Sequence, residues 1–250
     1  KERLRKIEKG ESFLLFGIHA VGDALLNPKR KKLRLIVTQN ARDKLASAID
    51  ISGMSPEVCS SKDLNSLIHE NSIHQGALLE VRPLEWGRFE EVVMQSQFTL
   101  PNVVLLDRVT DPHNVGAILR SAEVFGASAV IGTKHHSAPE TGALAKAASG
   151  ALERQPYIRV RNLADTILEL KKMGFTALGL DAAGLNDIAS AVKIYAGQPI
   201  ALILGAEGPG LRSRTKEVVD DLVRIMPISS FGSLNVSNAA AIGLYTITAV

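Results

Sequence analysis

One cysteine, Cys59, stands in a chain of 250 residues. That excludes an internal disulfide and a cysteine-rich metal site, and it fits a reducing compartment. Aromatic residues make up 4% of the chain, with Trp86 the sole tryptophan, so stacking on ring platforms does not dominate recognition. No apolar run approaches the roughly 20 residues of a membrane span. The apolar stretch 239–250 is short and reads as a buried helix. There is no secretory h-region near the start. Neither G-x-G-x-x-G nor G-x4-G-K-[ST] occurs, which counts against dinucleotide and ATP phosphate loops. His135 and His136 are adjacent and lack further His, Cys or carboxylate company, so no metal is expected; they read as loop residues. Neither sign of charge dominates: 29 Lys and Arg against 26 Asp and Glu leave a net charge of +3, which permits a nucleic-acid partner without establishing one. The chain begins at Lys1 rather than Met and stops inside a helical pattern at Val250, so further residues are expected at both ends.

Apolar residues are plentiful at 46%, enough for a core. Residues 13–83 alternate short apolar runs with amphipathic ones. The pattern predicts helices at 18–26, 41–51 and 62–69, and strands at 33–37, 57–59 and 77–81. Residues 83–98 hold Pro83, Gly87 and few periodic apolar positions and read as a linker, partly helical over 88–95. From residue 99 strands and helices alternate. Strands are expected at 102–106, 128–131, 157–160, 176–180, 200–204 and 222–225; helices are expected at 114–125, 142–150, 163–173, 210–219 and 234–248. Such alternation argues a parallel sheet covered on both faces. Gly126 and Gly174 fall where helix C-caps belong. Three domain-level segments result: 1–82, a linker 83–98, and 99–250.

Three segments run from an apolar strand into Gly, Pro, Asn and Ser and then into a helix: 105–120 (LLDRVTDPHNVGAILR), 200–212 (IALILGAEGPGLR) and 225–239 (IMPISSFGSLNVSNA). Loops at the carboxyl ends of strands are where open α/β sheets bind ligands. Asn114, Arg120, Glu207, Ser233 and Asn235 therefore read as one divided site. Taken singly each has an ordinary structural use. Asn114, after Asp111-Pro112, and Ser233 and Asn235 are helix-capping types; Arg120 is a helix arginine; Glu207 sits in a Gly-rich turn.

In order and spacing, D-x3-D-P-x-N-x-G-x-I-x-R (Asp107 to Arg120), L-G-x-E-G-x-G (Leu204 to Gly210) and P-x5-S-L-N-V-S (Pro227 to Ser237) resemble the three motifs of the SpoU (TrmH-like) RNA ribose methyltransferases. Residues 1–82 resemble the L30e-like substrate-binding domain of one subgroup, the RlmB-like bacterial enzymes that methylate guanosine in large-subunit rRNA; the string 16–21, FGIHAV with His19, carries that likeness. The resemblance implies an α/β fold: a parallel-sheet catalytic domain closed by a deep trefoil knot, with the small α/β domain before it. It implies methyl transfer from S-adenosylmethionine to a ribose 2′-hydroxyl of RNA, no metal, and a homodimer in the bacterial cytoplasm or a mitochondrial matrix.

The same resemblance assigns roles. Arg120 helps activate the hydroxyl together with a phosphate, Asn114 stands beside it, Glu207 organises the site by pairing with the arginine, and Ser233 and Asn235 approach the ribose or the donor, with Ser237 a weaker candidate. Gly205, Glu207, Gly208, Met226, Ile228 and Leu234 line the donor pocket, with Met226 and Ile228 walling the adenine. Gly210 and Gly232 serve close chain threading. The basic run Lys29, Arg30, Lys31, Lys32 and Arg34 reads as a set of RNA phosphate contacts. Kept open beside this reading are a tRNA ribose methyltransferase and a non-catalytic RNA-binding or ribosome-assembly factor on the same fold.

Overall fold

A computed structural model describes residues 12–67, 74–96, 100–228 and 234–249. The chain forms two compact units. The first takes the residues up to Glu85 together with Pro139–Arg154, and the second takes Trp86–Ala138 and everything from Gln155 on.

In the first unit, β1 (Phe13–Phe16), β2 (Lys32–Val37), β3 (Glu57–Val58) and β4 (Ala77–Val81) make a mixed sheet in the order β1-β4-β2-β3. Helix α1 (Ile18–Leu26) buries Ala20, Val21, Ala24 and Leu25, the stripe expected of an amphipathic helix. The helix expected over 41–51 is two: α2 (Gln39–Lys44) and α3 (Ala46–Ser52), divided at Leu45, whose ψ of 6° leaves the helical range. Helix α4 (Ser61–Leu67) completes this part, and Cys59 packs against the cluster of Ile36, Leu64 and Leu78.

The second unit is built on seven strands with parallel pairing throughout: β5 (Asn102–Asp107), β6 (Ala129–Thr133), β7 (Tyr157–Val160), β8 (Thr176–Leu180), β9 (Asn186–Asp187), β10 (Ile200–Gly205) and β11 (Asp221–Arg224), in the order β7-β6-β5-β10-β8-β11-β9. Both faces are covered, so the central strands read as unbroken apolar runs. Alternation along each strand splits the core: Val103, Leu105, Ala201 and Ile203 join one cluster with Leu163, Ile167 and Leu170. The opposite face, with Leu202, receives the last helix, where a side chain in place of Gly243 would strike Leu202. Placing β10 between β5 and β8 is consistent with the threaded path that the resemblance implies.

Two expected boundaries differ from the packing. Residues 83–98 are not a free connector, because α5 (Phe89–Met94) buries Val92 and Val93 in the core of the second unit. The segment 139–154 belongs with the first unit. Its helix α7 (Gly142–Ala148) lies on β1 so closely that a Cβ at Gly142 would overlap the Phe16 ring. Sequence spacing cannot reveal this, since a helix inserted between strands looks the same whichever sheet it packs on. A chain lacking 1–82 therefore leaves Leu144, Ala148 and Leu152 without their cover, at roughly 1.5–3 kcal/mol per leucine. Such a truncation is expected to melt well below the full chain and to bind an apolar dye; an unchanged melting temperature would refute this packing.

Candidate active site

Strands β5 and β10 run side by side and end together, Asp107 opposite Gly205, so the first two motif loops leave the sheet at one point. After β5 the chain enters α6 (Pro112–Val124). Its N-cap is Asp111, whose Oδ1 accepts from the His113 N–H at 3.0 Å, with Pro112 at the first helical position. Asn114, expected to open this helix, lies inside its first turn. Its amide is thereby free to reach across: Asn114 Nδ2 donates to Glu207 Oε1 at 3.0 Å.

The last helix, α11 (Val236–Thr248), is capped by Asn235, whose Oδ1 accepts from the Ser237 N–H at 2.9 Å and from Ser237 Oγ at 2.5 Å. The amide end of the same side chain donates to Glu207 Oε1 at 2.7 Å and to Asn114 Oδ1 at 2.9 Å. One residue from each motif thus meets in a closed triangle with Glu207 as the shared acceptor. Asn235 has two separable jobs. In Asn235→Asp an oxygen remains to cap the helix, but the amide becomes a second carboxylate against Glu207. The expected result is near-normal folding stability with activity down by about tenfold or more. A variant with full activity would refute the role of the triangle.

Arg120 is not part of it. Six residues after Asn114 on one helix, it lies about 240° further round, on a different face. It is exposed and makes no hydrogen bond or ion pair among the described residues. Within the chain, Glu207 Oε1 accepts from the two asparagine amides, and Arg120 is not among its partners. Ser233 and Gly232 lie outside the described residues.

The second motif loop turns tightly, with Gly210 N–H donating to the Ala206 carbonyl at 2.9 Å. A Cβ at Gly205 would collide with the Gly210 and Leu211 backbone, and Gly208 sits at φ 85°. Between this loop and the ends of β8 and β11 lies a cavity of about 300 Å³, lined by Leu180, Leu204, Gly205, Glu207, Gly208 and Leu234 among others. Of the expected pocket residues, Met226 and Ile228 do not line it; both are exposed, Ile228 fully. Successive residues of an extended chain face opposite ways, and Ile225 takes the inward place.

Several residues given no role by the sequence reading hold the site. Asp107 is fully buried and accepts from Arg212 Nε at 2.6 Å, the Arg212 N–H at 3.0 Å and Thr215 Oγ1 at 2.7 Å, so it ties the first loop to the second. Its signal was available: a carboxylate directly after the apolar run 103–106. Asp181 and Lys216 line the cavity and pair at 2.7 Å. Burial pushes the Asp181 carboxyl up, but Lys216 and the N–H groups of Ala183 and Leu211 outweigh it and hold the group below its ordinary value. His135 and His136 are exposed in a turn after β6. No three His, Cys, Asp or Glu side chains are grouped for a metal, and no helix is long and apolar enough to cross a membrane, among the described residues.

The SpoU rRNA Methylase family matches residues 101–245, and the RNA 2′-O ribose methyltransferase substrate-binding family matches residues 14–87. The 23S rRNA (guanosine-2′-O-)-methyltransferase RlmB of Vibrio parahaemolyticus is 35% identical over 238 residues, covering 92% of this chain and 94% of that protein. The RlmB of Yersinia pestis is 36% identical over 244 residues, covering 94% of this chain and 96% of that protein. Among solved structures, the SpoU methyltransferase AviRb from Streptomyces viridochromogenes, in complex with AdoMet, superposes with a TM-score of 0.79 at 24% identity, covering 99% of this chain and 92% of that one. With these matches spanning both units, the chain belongs to the SpoU rRNA methylase family.

Proposed function

We propose that this protein transfers a methyl group from S-adenosylmethionine to the 2′-hydroxyl of a guanosine ribose in large-subunit rRNA. The observation that carries the reading is the meeting of three motif loops in the Asn114–Glu207–Asn235 triangle at the edge of a cavity walled by a glycine-rich backbone loop. The sulfonium donor supplies an already activated methyl, so the protein's task is alignment and charge complementarity. Gly205, Gly208 and Leu234 offer backbone and apolar surface to the donor. Asn114 and Asn235 fix the Glu207 carboxylate, which orients groups rather than accepting the proton. Arg120 grips the phosphate beside the target ribose by two parallel hydrogen bonds; as the methyl passes from sulfur to the 2′-oxygen, the sulfonium leaves as a neutral thioether and the hydroxyl proton goes to that phosphate or to water. Ser233, by its place in the third motif, is assigned to the ribose or the donor. The names of the RlmB relatives support rRNA and guanosine as the substrate.

We also assign a homodimer in the bacterial cytoplasm. Val124, Ile242 and Tyr245 are exposed apolar side chains on two adjoining helices, and Tyr245 meets Phe125 edge-on at 6.0 Å. Light scattering is expected to give twice the chain mass, and a monomer would refute the assignment.

The decisive assay is labelled methyl transfer to rRNA and tRNA side by side, followed by alkaline hydrolysis. A methylated 2′-oxygen cannot attack its phosphate, so a labelled, alkali-resistant dinucleotide from rRNA alone is the expected product. Label confined to tRNA would move the substrate, and no label with either RNA would overturn the reading.

A further inference from the structure

The cavity beside the second motif loop has one charged pair in its wall that no motif contains. Asp181 follows β8 directly, and Lys216 comes from α10 (Ser213–Val218); their charged ends meet at 2.7 Å. Both line the cavity along with Leu180, Leu204, Ile225 and Val236. The surroundings are thus mostly apolar, with this compensated pair set among them; Glu207 and Arg224 are the other charged side chains of the lining.

The free valences of this pair can be counted. A carboxylate has about four lone-pair sites. At Asp181 three are taken, by the Ala183 N–H at 3.0 Å, by Lys216, and by the Leu211 N–H. One acceptor site is left. The Lys216 ammonium has three donors, and one is spent on Asp181. The side chain of Asp181 is 8% exposed and that of Lys216 33% exposed, so the carboxylate is held in place and the ammonium keeps access to the cavity. The loop backbone lies close against the carboxylate: a Cβ placed on Gly210 would come within 3.1 Å of Asp181 Oδ2.

Because the two charges cancel, the pair offers no net attraction to an ionic head group such as an amino-acid carboxylate. It offers one acceptor beside two donors, which complements two neighbouring hydroxyls, one donating and one accepting. The methyl donor carries such a pair on its adenosyl ribose. We propose that Asp181 and Lys216 read the 2′,3′-diol of that ribose, Asp181 accepting from one hydroxyl and Lys216 donating to the other. This rests on the methyl-transfer reading and adds two specificity-determining residues to it.

The test is titration calorimetry of the full chain with S-adenosylhomocysteine and with its 2′,3′-dideoxy analogue. The wild type is expected to lose roughly 10- to 100-fold in affinity for the dideoxy compound, the usual effect of removing hydrogen bonds to charged groups. Asp181→Asn and Lys216→Met are each expected to bind the parent compound more weakly and to distinguish the two compounds far less. A pair that only ties the helix to the strand would leave discrimination intact in both variants, and that result overturns the proposal. So does a wild type that binds both compounds equally. Should Asp181→Asn fail to fold, the wild-type comparison and Lys216→Met decide alone. A wild type that binds and transfers methyl without discriminating sinks only the diol proposal, whereas one that binds neither S-adenosylmethionine nor its product sinks the methyl-transfer reading with it.

Discussion

Replacing Arg120 with alanine is expected to lower methyl transfer by about a hundred- to a thousandfold, the range found when one donor to developing charge is removed. Folding and donor affinity should barely change. Arg120 is exposed and has no partner among the described residues, so its loss strands no buried group. Surface replacements of this kind usually fall within about 0.5 kcal/mol. A side chain that contributes little to the fold, yet sits at the end of a fourteen-residue motif, is free to serve a substrate. Arg120→Lys should fall between, because the ammonium keeps the charge but not the two-pronged grip on a phosphate. The measurement is the rRNA methylation rate beside the melting temperature and calorimetric donor affinity. Full activity in Arg120→Ala would remove the residue from the mechanism.

How legible the site was depended on what each residue does. Asn114, Glu207 and Asn235 could be named from sequence because motif order fixes which strand ends they follow. Their mutual bonding could not, since it depends on β10 lying beside β5 despite the 92 residues between Asp107 and Ile200. Helix-forming stretches with one apolar stripe, such as 18–26 and 163–172, were plain. By contrast, β9 is too short to show a period, and in the seven-residue helix after it, Ile188–Ile194, the stripe of Ile188, Ala191 and Val192 is confined to one turn. Met226 shows the finest limit. One residue of register decides which side chain enters a cavity, and sequence alone does not set register. Asp181 and Lys216 had no pattern at all, being thirty-five residues apart and joined only by the fold.

Arg30→Ala is expected to destabilise the first unit by about 3–5 kcal/mol, the usual cost of removing one member of a buried ion pair. The residue stands in the densest basic run of the chain, which suggests a solvated phosphate-binding stretch. The structure divides that run. Arg30 is buried, with its side chain fully covered, and donates to Glu153 through Nε at 2.9 Å and through its terminal nitrogen at 2.6 Å. It also donates to the Arg82 carbonyl at 2.8 Å and reaches Glu140 at 3.4 Å. Lys32 donates to the Asn27 carbonyl, and Arg34 pairs with Glu57 on the surface. Lys29 and Lys31 remain exposed and suited to phosphate contact. Removing either should therefore weaken RNA binding with little effect on stability, the reverse of Arg30. The cost of losing Arg30 should also depend on pH. Burial pushes the Glu140 carboxyl up and Arg30 opposes that shift, so without the arginine the folded value rises further. A raised folded value means stability that is present at low pH and lost as pH rises through it. Arg30→Ala should accordingly be closer to the wild type near pH 4 than at pH 8 in urea denaturation. A pH-independent difference, or one below about 1 kcal/mol, would show that the cluster does not hold Pro139–Arg154 to the first unit.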